Sequence, residues 1–324
     1  MRKINLLSVV VPCHNEMEVL PSTHARLQKI LESLCQSGKC SAYELVYVDN
    51  GSTDDTLSVL EKIYAENASV RIVALRRNFG YQGSLSAGLV FAKGDAVVTI
   101  DADLQDPPEK IADMILHYES GFDLVLGVRE DRSSDSFVKR FFAENYYRLL
   151  KSMGVDIVHN HGDFRLMARP LVDEFNQLLE RNRFIRGMIL QLDSRYKTVS
   201  YARDPRMKGK TKFNLHSIFS LGIDGIISFS YLPLRLFSIL GVVISFFSLL
   251  GLAYVLYGKF VLHALPGWTS TLLPIFTFGG LQLLALGVIG EYLGRLYVEV
   301  KRRPIFIVRR EYGKGEVHVK REVA

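Results

Sequence analysis

The segment Asp101-Ala102-Asp103-Leu104-Gln105-Asp106-Pro107-Pro108 carries the clearest chemistry in the chain. Two carboxylates stand two residues apart, just after the apolar run Ala96–Ile100. Hard oxygen ligands of this kind hold a divalent cation, Mg2+ or Mn2+, that completes its shell with phosphate and water. Such a cation stabilises a leaving diphosphate. In an exposed turn the same pattern would be solvated charge. Its place after a strand and before a proline-opened helix favours the metal site.

A second cluster is Val48-Asp49-Asn50-Gly51-Ser52-Thr53-Asp54-Asp55-Thr56. Gly51 permits a tight turn, and Thr53 or Asp54 can cap the next helix. Capping explains Asp49 less well. An acid at the carboxyl end of a core strand faces the ligand cleft, where it can accept a hydrogen bond from a base or ribose. Other polar residues have plainer readings. Gly80, Gly83 and Gly88 lack the spacing of a phosphate loop and suit helix packing. His159 and His161 lack further ligands nearby. Cys13, Cys35 and Cys40 form no CxxC pair, which argues against a disulfide framework or zinc site.

These residues need elements to place them. Strand-forming runs occur at Leu6–Val11, Tyr43–Val48, Val70–Leu75, Ala96–Ile100 and Asp123–Val128. Helical stretches separate them: Glu18–Cys35, one from about Asp54, Gly83–Ala92, and one opened by Pro107 and Pro108. This alternation predicts an α/β fold with a mostly parallel, doubly wound sheet. Ligands of such sheets bind beyond the carboxyl ends of the strands, where Cys13–Glu16, Asp49–Asp54, Arg76–Phe79 and Asp101–Asp106 fall.

The last third differs. Leu236–Tyr257 and Trp268–Gly290 are uncharged apolar runs, each long enough to span a hydrocarbon core as a helix. Arg235 precedes the first; Arg295, Lys301, Arg302 and Arg303 follow the second. The positive-inside rule predicts a transmembrane hairpin with the preceding domain and both termini in the cytoplasm. Phe213–Tyr231 suits helices lying in the interface. Pro304–Val308 and Glu316–Val319 can pair as a small hairpin. The net charge of +6 brackets the apolar runs, which points to a bilayer and not to nucleic acid. Glu291 at the membrane edge can pair with Arg295. Gly279-Gly280 and Gly287 permit close helix contacts, and so a homo-oligomer.

Taken in order, Val11-Pro12-Cys13-His14-Asn15-Glu16, the Asp49 loop, Arg77-Asn78-Phe79-Gly80 and Asp101–Pro108 resemble family 2 glycosyltransferases of the GT-A fold. Gly162-Asp163-Phe164-Arg165-Leu166-Met167, Arg183-Phe184-Ile185-Arg186-Gly187, Arg206–Phe213 and Gly290–Arg295 narrow the resemblance. It is to the polyprenyl-phosphate glycosyltransferases, above all bactoprenol glucosyltransferases, with dolichol-phosphate mannose synthases more distant. The resemblance implies an inverting transfer of a hexose from a nucleotide-sugar, UDP-glucose first, to undecaprenyl phosphate. It places Pro12, Asn15, Glu16 and Asp49 around the nucleoside. Asp101 and Asp103 fall on the metal and diphosphate motif, and Gln105 on a further metal ligand. Asp163 falls on a candidate catalytic acid. Asn50 departs from the family, where many members carry a second aspartate.

A phosphate monoester is largely dianionic at neutral pH, so Asp163 can orient the acceptor or a metal water and need only assist as a base. Arg129, Arg203, Arg206 and Lys212 are the candidate cations for the approaching phosphate. Attraction of this basic stretch to anionic lipid is the competing reading. On this view the chain divides into a GT-A domain (1–212), interfacial helices (213–233), two membrane helices (234–296) and a cytosolic tail (297–324). Alternatives are a mannose synthase using GDP-mannose, a processive polysaccharide synthase, a non-catalytic nucleotide-sugar sensor or lipid partner, and a channel. The absence of a QxxRW motif argues against the processive enzyme. The intact Asp101–Asp103 pair argues against the sensor. The spans lack the polar line of a pore.

Overall fold

The computed structural model describes residues 2–103, 105–130, 158, 160–178, 180–181, 183–202, 268–313 and 316–318, with scattered positions between 239 and 250. The chain divides into two compact units. One comprises Met1–Lys151, Asp156–Asn214 and Arg303–Ala324; the other comprises Ser152–Val155 and Leu215–Arg302.

The first unit is built on a sheet of nine strands among the described residues. These are β1 (Leu6–Cys13), β2 (Ala42–Asp49), β3 (Val70–Leu75), β4 (Ala96–Thr99), β5 (Leu124–Arg129), β6 (His161–Ala168), β7 (Tyr196–Tyr201), β8 (Val308–Gly313) and β9 (Glu316–His318). Their order is β7-β5-β6-β4-β1-β2-β3-β8-β9. The centre, β3-β2-β1-β4, is parallel. Its strands are rich in Val, Ile and Leu because helices cover both faces, with Glu44 and Arg71 as buried charged exceptions. β6 runs antiparallel between β4 and β5, and β8 runs antiparallel along β3.

Helices α1 (Leu20–Gln36), α2 (Thr56–Glu66) and α4 (Ile111–Glu119) share one core with one face of the sheet. In α1, Leu20, Thr23, Leu27, Leu31 and Leu34 recur at helical spacing and are buried. A short 3-10 turn, Pro108–Lys110, leads into α4. Helices α3 (Gly80–Phe91), α5 (Arg169–Gln177) and α6 (Ile185–Leu192) complete this unit. Gly88 of α3 faces the sheet closely enough that a Cβ there would lie 2.2 Å from Val10 Cγ1. Gly88 and Gly83 therefore serve packing, whereas Gly80 at φ +77° faces open space.

Three strands depart from the sequence expectation. β6 and β7 were not foreseen as strands. The C-terminal strand is Val308–Gly313 and not Pro304–Val308, because Glu311 and Tyr312 on β8 find partners in β3 and α2. Arg71 Nη1 donates to Glu311 Oε1 at 2.9 Å, and the Tyr312 hydroxyl donates to Glu61 Oε1 at 2.6 Å. β8 then pairs with β9 as an antiparallel hairpin.

In the second unit, α7 spans Trp268–Val300 with Pro274 inside it. Arg302, at φ 46°, follows its end. Among the described residues no helix is long and apolar enough to cross a membrane. The interfacial segment Phe213–Tyr231 and most of Leu236–Tyr257 lie outside the described residues.

Candidate functional site

In the central sheet, connections leave β1 towards opposite sides, so the order reverses between β1 and β4. A cleft opens at the carboxyl ends of the strands at such a point. β1, β2, β3 and β4 deliver to it the His14 loop, the Asp49 loop, the Arg76–Phe79 loop and Asp101 respectively. β6 enters from the opposite direction. Its start therefore lies beside the end of β4, and Thr99 Oγ1 donates to the Asp163 carbonyl.

A cavity of about 550 Å³ sits over β2 and β3, lined by Asp49, Gly51, Leu57, Leu75, Arg77 and Arg309 among others. Its floor is a network of loop-to-loop hydrogen bonds. The buried Asn50 amide donates to Asn78 Oδ1 and to the Gly80 carbonyl, both at 3.1 Å, and accepts from the Phe79 N–H at 2.9 Å. Asn78 Nδ2 and His14 Nε2 lie 3.0 Å apart. Gly51 has φ +61°, and a Cβ there would stand 2.4 Å from the Arg77 carbonyl carbon. No other residue fits that place.

Of the four residues expected around the nucleoside, Asp49 lines this cavity. Burial raises its carboxyl above the ordinary range, opposed by hydrogen bonds from Ser52. Pro12 lies within β1, opposite Val48 of β2. Asn15, at φ 56°, accepts from the Thr53 N–H at 2.8 Å, and the Glu16 N–H donates to Thr56 Oγ1 at 2.8 Å. Those contacts shape the loop beside the cavity.

The carboxylate motif divides by role. Asp101 accepts from the Tyr81 hydroxyl at 2.7 Å. Burial, then Asp163 and Asp106, push its carboxyl up to about 7. Asp103 accepts from the Gln105 N–H at 3.2 Å. Asp106 is buried and accepts from the Tyr201 hydroxyl at 2.7 Å and Arg129 Nη2 at 3.2 Å. Arg129, expected at the acceptor phosphate, is thus engaged by Asp106. Among the described residues no three acidic, His or Cys side chains converge on one point. Asp101 and Asp103 nevertheless fit an oxygen-seeking cation. Burial, with Asp163 and Asp106 nearby, makes Asp101 resist ionisation, a condition a divalent charge relieves. Arg203, Arg206 and Lys212 lie outside the described residues.

Asp163 is buried and bonded to Arg165 on one side and Arg186 on the other. Burial works against its charge. Arg186 and then Arg165 outweigh burial and bring it down to about 2. A carboxylate held this way is a weak base. Beside it, Arg165 is fully buried, and its Nε and Nη1 have no hydrogen-bond partner among the described residues; both His161 nitrogens share that condition. Tyr81 and Arg186 were not singled out from the sequence as site residues. Arg186 does fall within the Arg183–Gly187 motif, which was the available signal.

A parallel-centred α/β sheet with a cavity at the carboxyl ends of its strands and an adjoining carboxylate pair has the layout of a ligand-binding enzyme site. Residues 8–175 match the family model for Glycosyl transferase family 2, and the chain belongs to that family. Sequence relatives extend over nearly the whole chain. "Uncharacterized glycosyltransferase YkcC" of Bacillus subtilis is 41% identical over 94% of this chain and 94% of its own length. "Uncharacterized glycosyltransferase sll0501" of Synechocystis is 42% identical over 93% of this chain and 94% of its own. "Bactoprenol glucosyl transferase" of Shigella phage SfII is 38% identical over 94% of this chain and 98% of its own.

Proposed function

We propose that this glycosyltransferase moves glucose from UDP-glucose to a polyprenyl phosphate, undecaprenyl phosphate first, with inversion at the anomeric carbon. One observation carries the reading. The likeness to a bactoprenol glucosyl transferase covers 94% of this chain, and so extends beyond the family 2 segment through the apolar last third.

The acceptor phosphate oxygen forms a bond to the anomeric carbon as that carbon's bond to the nucleotide breaks, and UDP departs with the electron pair. Asp101 and Asp103 would hold Mg2+ or Mn2+, with Gln105 as a further ligand. The cation supplies charge neutralisation for the leaving diphosphate. The acceptor needs little deprotonation at neutral pH. Asp163, quenched between two guanidiniums, acts by positioning Arg186, whose side chain is 38% exposed and therefore reachable by an anion. The cavity at Asp49 holds the nucleoside.

The membrane hairpin, with both termini cytoplasmic, belongs to the same proposal. Its supports are the charge distribution of the sequence and the apolar surface of α7. Ile275, Phe278, Leu283, Leu286, Ile289 and Leu293 are all exposed, as a helix facing lipid requires. Read from the sequence, the uncharged run Trp268–Gly290, about 23 residues at ~1.5 Å each, would as a helix match the thickness of a hydrocarbon core.

The test uses detergent-purified protein with undecaprenyl phosphate and Mn2+ or Mg2+. UDP-glucose, UDP-galactose, UDP-N-acetylglucosamine and GDP-mannose are offered in parallel, and products are read by mass spectrometry. A glucosyl lipid phosphate, lost in Asp103→Ala, is expected. A product from GDP-mannose alone would move the enzyme to the mannose synthases, and no product from any of the four would overturn the assignment.

A further inference from the structure

We infer that Arg309, on the C-terminal strand, is a donor-binding residue that completes the nucleoside pocket and reads the base. The inference rests on the nucleotide-sugar reading above.

The register of β8 on β3 is the starting observation. Tyr312, Glu311 and Arg310 oppose Ile72, Val73 and Ala74 in turn. The next pair is Val308 with Leu75, so Arg309 is passed over. A residue skipped in this way forms a β-bulge, which re-aims its side chain and is common beside active sites. The ladder resumes past it, where the Arg76 N–H donates to the Ile307 carbonyl at 2.9 Å. The bulge therefore sits at the end of β3, where the loop carrying Arg76 and Arg77 begins, and Arg309 lines the same cavity as Asp49 and Gly51.

The backbone on either side is anchored. Val308 is fully buried, Glu311 is ion-paired to Arg71, and Tyr312 is bonded to Glu61. Presenting Arg309 from so fixed a strand costs little ordering on binding. Ala74, Leu75 and Leu57 give the cavity apolar walls, while Asp49 and the arginines supply polar groups. Apolar walls with a few placed polar groups suit a flat base and its ribose. A guanidinium only donates hydrogen bonds, so the matching ligand edge carries carbonyl acceptors, as uracil does at both its O2 and O4. Cytosine presents an amino donor at position 4 and fits less well.

The experiment is titration calorimetry of UDP and CDP, with Mn2+, into the full-length wild type, Arg309→Ala and Arg309→Lys, with Asp49→Asn alongside. Arg309→Ala should weaken UDP about tenfold, the loss of a hydrogen bond to a charged group, and narrow the preference for UDP over CDP. Donor KM should rise while kcat at saturating donor and the melting temperature stay at wild-type values. Arg309→Lys should recover part of the affinity. UDP binding unchanged in Arg309→Ala, with Asp49→Asn weakened, would overturn this inference and leave the nucleotide-sugar reading standing. An affinity loss accompanied by a fall in melting temperature would make Arg309 structural and overturn it too. Wild type binding no nucleotide would remove the underlying reading itself.

Discussion

Arg186 grips one oxygen of Asp163 with two nitrogens, Nε at 3.1 Å and Nη2 at 2.5 Å. The other oxygen is taken by Arg165. This geometry changes what the acid at the start of β6 can do. Its proton affinity is spent on two guanidiniums, and its value lies in fixing them.

The first prediction follows from that pair. Asp163→Asn leaves Arg165 buried without a counter-charge and should cost about 3 kcal/mol. That is the low end for breaking a buried pair, because Arg186 is more than a third exposed and screened by solvent. The folded carboxyl lies at about 2, below its ordinary value of about 3.9. Its contribution is therefore complete above about pH 4 and lost as pH falls through about 2. Urea midpoints measured across that window check the stability. In the kinetics, the acid limb should follow the acceptor phosphate, near pH 6. An acid limb near pH 4 that disappears in Asp163→Asn would restore the carboxylate as the base.

A second prediction concerns Asn50, buried between the loops after β2 and β3. Asn50→Asp removes both donated hydrogen bonds, to Asn78 and to the Gly80 carbonyl, and sets a carboxylate against two acceptors. We expect about 2 kcal/mol of destabilisation and a higher donor KM with little change in kcat. Denaturant unfolding and donor titrations decide it; unaltered KM would mean that the clamp does not shape the donor cavity. In this chain the paired Asn78 and His14 make an amide the better fit.

How far the sequence reaches is visible in particular strands. β1 to β4 are legible because burial on both faces makes them mostly apolar, as in the wholly buried Val70–Leu75, where Arg71 is the one charge. β6 is just as buried, yet it carries His161, Asp163 and Arg165. Hydropathy hides it, since Asp163 pairs with Arg165 on the same strand and with Arg186 of α6. The same holds for β8, whose Glu311 meets a partner 240 residues away. In the site, Asp101 and Asp103 were readable because strand and motif are adjacent in the chain. Tyr81 on Asp101, Arg186 on Asp163 and Arg129 on Asp106 were not. Each pairing joins residues from different elements, with Tyr81 on α3, Arg186 on α6 and Arg129 on β5, and periodicity carries no such information.

The third prediction tests the cation. Asp101 lies at about 7 without one, so a proton and a metal compete for it. Mn2+ affinity should climb as pH rises from 5.5 towards 7 and level off above, with proton release on binding. Chelation should abolish transfer, and added Mn2+ or Mg2+ should restore it. Tyr81→Phe removes the hydrogen bond that favours the ionised carboxylate, which should move the climb to higher pH. Calorimetry in buffers of different ionisation enthalpy measures the released protons. Metal affinity flat across this range would place the cation elsewhere.

The last prediction separates the two jobs of the C-terminal strand. Arg71 lies between Glu311, at 2.9 Å, and Glu44, at 3.6 Å, and all three are buried. Glu44 is itself held by the Ser8 hydroxyl and the Lys93 N–H, each at 2.6 Å. Glu311→Ala leaves Arg71 one carboxylate and should cost about 3 kcal/mol. Arg71→Ala should cost more, because it leaves two buried carboxylates facing each other without the guanidinium between them. Replacing Arg71 and Glu311 together by methionine should cost less than Arg71→Ala alone, since a packed apolar pair avoids the second uncompensated charge. Chemical denaturation of the four proteins gives the order directly. If Glu311→Ala unfolds at the wild-type midpoint, this ion pair does not fasten β8 to the sheet, and the anchoring that presents Arg309 must come from Val308 and Tyr312 alone.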